Sequence, residues 1–334
     1  MRPGSQASRE LIEDLFSRLP LESRQEMRSR FRSGSNADLS SAFQELCLHE
    51  LLAKQDCRLV PHPRVDETTK RPDFLVLEPD GVRFFLEAKT STEISSGPRS
   101  DPRGDRVRDF LSGVKADGFL IGIDELVAGG KDLRRRALAA HISQSLKTTP
   151  PLENSTRVLI PPFETDDGWR IRLTAVPDGS HGGTESGVLY EAWTRTSSDK
   201  SSTLSAVLIE KGGRYGNKLQ MPFIVALNSF DPMLTDRDFD KALFSENGLW
   251  GTPNNLHKRR VSAVLFSVNL WPATLLMGRV ETRLYLNPFA DWPYSGLLNR
   301  LDTFRFEGGS WHRHPGIDIH QLLGLSLLDR SWWG

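Results

Sequence analysis

The sequence predicts an α/β protein, and the prediction rests on how helical and strand patterns follow one another. An amphipathic run over residues 40–54 leads directly into strand-like segments. The two segments at 71–77 and 82–90 are apolar on both faces, as strands are inside a sheet rather than at its surface. Helical and strand periodicities then alternate through to residue 290.

Residues 8–33 read as two short charged helices interrupted by Pro20, with Leu11, Leu15 and Leu19 at helical spacing so that one face can dock. Residues 1–37 are therefore expected to form a helical extension on a larger domain, 38–334. Asn36 or Asp38 can cap the next helix, whose residues Phe43, Cys47, Leu48, Leu51 and Leu52 share one broad face. Glu45 and Glu50 fall just beyond the two margins of that face, and Leu46 extends the apolar arc past Glu50. CRLVPHP reads as a strand closed by prolines. RPDFLVL and VRFFLEAKT read as two strands joined by EPDG, a Pro-Asp-Gly turn.

Residues 91–105 turn to Ser, Gly, Pro and Asp, which marks a loop. A helix-like VRDFLSGVKA, a strand FLIGI, a basic helix KDLRRRALAAHISQSLK and strands at TRVLIPPF and WRIRLTAVP follow. A loop around VLYEAW precedes a helix at STLSAVLIEKGGRYG, and PFIVALN, RRVSAVLFSVN and RLYLNPFA are later strands. There is no internal repeat and no low-complexity tract.

Forty-three basic and 43 acidic side chains cancel, so no whole-protein field attracts a polyanion, and any positive surface must be local. Cys47 and Cys57 are too few for a disulfide framework and match no zinc spacing, so both are expected to be reduced thiols. With no apolar signal core and no apolar stretch of membrane length, a cytoplasmic protein without a membrane partner is expected.

The chemistry concentrates at Pro72-Asp73 and Glu87-Ala88-Lys89. Glu87 and Lys89 lie two apart on a strand and share a face. A turn centred on Asp80 pairs residues whose numbers sum to 160, which sets Asp73 opposite Glu87; half a residue of slip would exchange Glu87 for Ala88 or Leu86. Two carboxylates meeting across a hairpin suit Mg²⁺, or Mn²⁺, which takes one or two protein carboxylates and keeps room for water and phosphate. Asp73, Glu87 and the Ala88 carbonyl supply such oxygens. A bound metal would acidify water and offset charge building on phosphorus, and Lys89 is placed to orient that water or stabilise the transition state. The bland reading is a strand cap at Asp73 and a solvated Glu87–Lys89 pair, but strands apolar on both faces make unpaired charges expensive.

The run FQELCLHELL, then RPDF, then FFLEAKT resembles the PD-(D/E)xK nuclease superfamily, which includes many restriction, repair and phage-defence enzymes. The resemblance covers about 50 residues, 40–90. It implies a restriction-endonuclease-like αβββαβ core, a mixed sheet flanked by helices, with the N-terminal helices and an inserted α+β region added. It implies catalysis by Asp73, Glu87 and Lys89 with a further carboxylate on the first helix. Glu45 is the choice for that carboxylate, as catalytic residue and metal ligand with Asp73 and Glu87, and Glu50 is the reserve. Some RecB-like members carry a Gln-x-x-x-Tyr pair on the second core helix facing the site, and Lys211 with Tyr215 is similar, although Gly212-Gly213 would loosen the helix. In that alignment residues 91–200 are an insertion and PFIVALN is the last core strand.

Arg134-Arg135-Arg136 and Lys258-Arg259-Arg260 are the basic clusters that could hold phosphates, although such runs are more often solvated helix faces. The histidines match no metal-ligand spacing, and His49 sits one turn after Glu45 where it can hydrogen-bond it. Trp250, Trp271, Trp292 and the Trp332-Trp333 pair read as core or docking residues, with base stacking the alternative. The expectation is a metal-dependent nuclease, on DNA in preference to RNA, acting in defence or repair. The alternatives are an RNA-directed nuclease and a non-catalytic nucleic-acid-binding or scaffold module that keeps the fold. Oligomeric state is not legible.

Overall fold

The computed structural model describes residues 3–33, 36–66, 68–91, 102–112, 114, 119–147, 158–177, 188–191, 200–215, 219–230, 234–307 and 310–327. The chain divides into two compact units, Met1–Ile94 with Ser198–Gly334, and Ser95–Ser197.

The first unit begins with helices α1 (Pro3–Ser17), α2 (Leu21–Phe31) and α3 (Asn36–Ala53), then strands β1 (Arg58–Pro61), β2 (Phe74–Leu77) and β3 (Arg83–Ser91). The second unit follows, with α4 (Pro102–Ser112), β4 (Phe119–Val127), α5 (Arg135–Lys147), β5 (Val158–Glu164), β6 (Arg170–Pro177) and β7 (Val188–Glu191). The chain returns to the first unit as α6 (Lys200–Gly212), β8 (Phe223–Ser229) and α7 (Asp236–Phe244). A short hairpin comes next, β9 (Gly251–Thr252) with β10 (Asn255–Leu256). Then come β11 (Val261–Val268), α8 (Pro272–Leu276), β12 (Glu281–Leu286), β13 (Thr303–Glu307), β14 (Ser310–His314) and α9 (Ile319–Leu322).

The first unit is thus an α/β fold on one mixed sheet, in the order β1-β2-β3-β8-β11-β12-β13-β14. β1, β2 and β3 form an antiparallel meander, while β3, β8 and β11 run parallel. The β2–β3 register is Phe74↔Leu86 through Leu77↔Arg83, the one that a turn centred on Asp80 demands.

Alternation along the strands gives each face its own core. Phe84, Leu86 and Ala88 of β3 with Ile224 and Ala226 of β8 pack towards α3 and α1. Phe85 with Phe223, Val225 and Leu227 packs towards α6 and α7. Glu87 and Lys89 follow Phe85, so they point to the α6 side. The second unit is a separate four-stranded sheet, β5-β6-β4-β7, whose core includes Leu138, Ile142, Trp169 and Ile171. Among the described residues no helix is long and apolar enough to cross a membrane.

The helical N-terminus is part of this core rather than an appendage. Leu11, Leu15, Leu19 and Met27 are buried against α3. The polar positions of α3 are buried as well: Gln44, Glu45, His49 and Glu50 all lie under 10% exposed. Burying a carboxylate is costly unless it is paired, and both are. Arg30 of α2 grips Glu45 through two hydrogen bonds of 2.6 and 2.7 Å, and Arg18, just after α1, bonds Glu50, with Lys54 3.9 Å away. Cys47 and Cys57 are free and buried, and burial pushes the Cys57 thiol up to about 11.

Arg30→Ala leaves the Glu45 carboxylate unpaired beneath α2 and is expected to lower unfolding free energy by roughly 2 kcal/mol, less than a fully buried pair because Arg30 is partly solvated. Urea denaturation checks this, and Arg30→Gln combined with Glu45→Gln should recover most of the loss.

Candidate functional site

The meander ends where β2 begins, and that is where Asp73 sits. Its backbone carbonyl accepts from the His62 N–H at 3.0 Å, and its side-chain Oδ2 accepts from the Ala88 N–H at 2.6 Å. The carboxylate therefore stands in for a backbone acceptor on the first residue beyond the paired ladder, directly beside Glu87. This double tether fixes the half-buried Asp73 without a rotamer search.

Glu87 lies on β3 opposite Val225 of β8 and is completely buried. Its Oε1 accepts from Lys211 Nζ and from an Arg214 guanidinium nitrogen, both at 2.7 Å, and its Oε2 accepts from the Tyr215 hydroxyl. These three donors come from the end of α6 and the turn after it. Gly213 N–H bonds the Ile209 carbonyl and Arg214 N–H bonds that of Lys211, so helical spacing continues past Gly212-Gly213 and delivers Lys211, Arg214 and Tyr215 to one side. Tyr215 is buried edge-on against Phe223 at 5.5 Å. Burial, then the neighbouring Glu87 carboxylate, raises its hydroxyl above the ordinary phenol range, so it remains a donor.

Asp73 has no such set of cations. Burial, then the charges of Glu87 and Glu45, push its carboxyl up to about 7, against the opposing pull of the Ala88 N–H and of Lys211. Lys89 is half-buried on the same face as Glu87, and opposite Leu227. Gln44, beside Glu45 on α3, locks the helix to the sheet by donating to the Ala226 carbonyl at 3.0 Å and accepting from Thr90 at 2.8 Å.

The sequence-predicted residues therefore divide. Asp73, Glu87 and Lys89 share one end and one face of the sheet, and Lys211 and Tyr215 both reach Glu87. Glu45 approaches from the α3 side, near enough for its charge to act on Asp73, but its oxygens are held by Arg30. The expected cluster of three carboxylate ligands is not formed: among the described residues no group of three His, Cys, Asp or Glu side chains could hold a metal ion. The reserve carboxylate, Glu50, belongs to a structural pair with Arg18. Gly212-Gly213 does not separate Lys211 from Tyr215, because the turn keeps helical hydrogen bonding. His49 is not bonded to Glu45; its ring tilts against Phe74 at 6.3 Å.

Sequence reasoning missed Arg214 and Arg30. Arg214 was legible in principle, being three residues after Lys211 on the same helical face. Arg30 had no local signal, since it meets Glu45 only through the packing of α2 on α3. Arg134 and Arg135 are exposed on the second unit, where the Arg135 guanidinium lies 6.0 Å over the Phe110 ring. Lys258 and Arg259 are exposed on the first unit, Arg259 paired with Asp291 at 2.7 Å. Trp250 is core, Trp271 packs edge-on with Phe43, and Trp292 is 45% exposed. Trp332-Trp333 lie outside the described residues.

The donor set at Asp73 and Glu87 fits a hard divalent cation: two carboxylates from facing strands, one of them under-neutralised. Such an ion would compete with Lys211 and Arg214 for Glu87. No protein-family model matches the chain, and comparisons with curated proteins and with solved structures give no match.

The proton balance at Asp73 gives a pH test. An unfolded aspartate titrates near about 3.9. Between there and about 7 the folded chain keeps a proton that the unfolded chain has lost. Stability contributed by this group is therefore complete at low pH and declines as pH rises through about 7. Asp73→Asn keeps a neutral side chain throughout, so its melting temperature relative to the parent, in metal-free buffer, should climb from pH 5 to pH 8. A constant difference would contradict the burial of Asp73 beside Glu87.

Proposed function

We propose that this chain is a metal-dependent nuclease that hydrolyses phosphodiester bonds, with DNA as the preferred polymer. One observation carries the reading: Asp73, just before β2, and Glu87 of β3 share a site with Lys211, Arg214 and Tyr215, and Lys89 follows on the same face. Carboxylates that bind a cation and cations that bind phosphate are the two charges that phosphoryl transfer requires in one place. The order α3-β1-β2-β3, then α6-β8 across the second unit, agrees with a restriction-endonuclease-like core interrupted by an insertion.

Asp73 and Glu87 would hold Mg²⁺ or Mn²⁺, which when bound supplies an acidified water and offsets charge on the phosphate. The chain's own groups do the remainder. The Ala88 N–H orients Asp73. Tyr215 keeps Glu87 aimed along the strand, because its raised pKa retains the donated proton. Lys211 and Arg214, released from Glu87 as its charge is shared, would turn their donors to the phosphate oxygens. Arg214 is the more exposed of the two and the better shaped for a phosphate, its guanidinium matching two oxygens at once. Lys89 would orient the nucleophile from the same face. Glu45, held by Arg30, would act on Asp73 through its field.

The preference for DNA and a role in defence or repair rest on the resemblance of FQELCLHELL, RPDF and FFLEAKT to the PD-(D/E)xK superfamily. A non-catalytic module that keeps the fold is the alternative. It would not require Asp73 to remain beside Glu87 without a cation of its own.

Digestion of plasmid, linear duplex, single-stranded DNA and RNA with Mg²⁺, Mn²⁺ or EDTA tests the reading. Cleavage is expected with either metal and none with EDTA. Asp73→Ala, Glu87→Ala and Lys89→Ala should each reduce the rate by roughly a hundredfold or more. Tyr215→Phe should cost less, about tenfold, since it loosens Glu87 without removing it. Unchanged cleavage by Asp73→Ala would refute the assignment.

A further inference from the structure

A second cationic feature lies on the other side of the same turn. The α6 end, Gly212 and Gly213, lines one wall of a cavity of about 360 Å³. Its other walls are Leu256 to Arg260 and Asp291. A Cβ on Gly212 would meet the Val261 side chain at 2.8 Å, and one on Gly213 would sit 3.0 Å from the Ile209 carbonyl and 3.2 Å from the Lys258 ammonium, which places that lysine over the turn. Lys258 itself holds φ at +32°, a backbone region that side chains rarely occupy, which aims an exposed lysine across the glycine pair.

The charge here is one-sided. His257, Lys258, Arg259 and Arg260 line it with a single carboxylate, Asp291, whereas over the whole chain 43 basic and 43 acidic side chains cancel. Asp291 pairs with Arg259 through its side chain and donates its own N–H to that residue's carbonyl at 2.9 Å. This holds the segment at 289–292 alongside 259–262, a contact continued where Ser262 donates to the Trp292 carbonyl at 2.5 Å. Trp292 follows Asp291 directly and is 45% exposed, the most exposed aromatic side chain of the described residues. Capping of the α6 carbonyls would account for Lys258 alone. It does not account for the exposed indole of Trp292.

We propose that this cavity binds the phosphate backbone of a single-stranded stretch of nucleic acid, with an unpaired base stacked on Trp292. The proposal rests on the nuclease reading and supplies what that reading lacks, a surface that selects the strand. Basic residues tracking a backbone beside an aromatic platform constitute the usual way of holding single strands, because a stacked duplex offers no free base face. The turn Lys211–Tyr215 borders this cavity through its glycines and reaches Glu87 through its side chains. A strand seated in the cavity therefore rests against the two glycines that stand between Lys211 and Arg214 in the chain.

Fluorescence anisotropy tests this with the full chain in EDTA, where no cleavage intervenes. The probes are a labelled oligothymidylate of about 12 nucleotides, a duplex of the same length, and unlabelled polyglutamate as competitor. The single strand should bind more tightly than the duplex, and polyglutamate should compete poorly. Trp292→Ala should weaken single-strand binding by roughly tenfold, whereas Trp292→Phe retains most of it. Lys258→Gln should weaken binding and lower the slope of log affinity against log salt by about one. Equal binding of duplex and single strand, or effective competition by polyglutamate, would overturn the proposal. So would a Trp292→Ala chain that folds and binds as the parent does, and if that variant fails to fold, the Lys258→Gln slope decides alone. Cleavage without single-strand binding would reject this inference and leave the nuclease standing; binding without cleavage would do the reverse.

Discussion

A completely buried carboxylate, Glu87, holds the first unit together at its centre. It sits in the middle of β3, a strand otherwise chosen for a sheet interior, and it is answered by Lys211, Arg214 and Tyr215 from a segment more than a hundred residues further on. An unpaired charge there would cost several kcal/mol, which favours the docking of α6 that supplies its partners. This one interaction sets the phase of α6, and with it the parallel pairing of β3 with β8. The second unit intervenes between β3 and α6 in the chain. A stabilising role alone, however, would be served as well by apolar residues of the same volume. Two cations and a phenol on one carboxylate, next to a second carboxylate with little compensation, make an arrangement better suited to exchange charge with a ligand than to hold a core.

The same logic runs through the N-terminal helices. α3 carries Glu45 and Glu50 where the N-terminal helices pack, and those helices cover the two carboxylates instead of leaving them to water. Arg18 and Arg30 are what make the cover tolerable. Their positions also give the candidate site an electrostatic border, because Arg30 neutralises Glu45 while Glu45 still acts on Asp73. The helices that look like a charged extension are thus continuous with the core through Leu11, Leu15 and Leu19, and with the site through Arg30.

What the sequence made legible was local. The Pro-Asp-Gly turn determined the register of β2 against β3, and the Glu-x-Lys spacing put two side chains on one face. The run of apolar residues through β8 marked an inner strand. α7 was also written in the chain, as Thr235 followed by Asp238, whose reciprocal capping bonds start that helix. So was β13, where Phe304 and Phe306 alternate with polar residues, yet neither was read as an element. What was not legible was long-range. Arg30 reaches Glu45 only because α2 folds back on α3. Arg214 reaches Glu87 only because two glycines continue a helix that their propensities argue against. The burial of Glu45 and Glu50 likewise follows from what packs over α3, since a helical wheel locates a margin but cannot say what covers it.

On the proposed function, Asp73 and Glu87 take a divalent cation in place of the cations that clasp Glu87. Anomalous diffraction at the manganese edge from crystals soaked in Mn²⁺ tests it most directly. The account predicts a peak within coordination distance of both carboxylates, about 2.0–2.2 Å for so hard an ion, with Arg214 withdrawn from Oε1. A chain in which Glu87 keeps Lys211, Arg214 and Tyr215 at saturating Mn²⁺, with no anomalous peak between the two carboxylates, would contradict it.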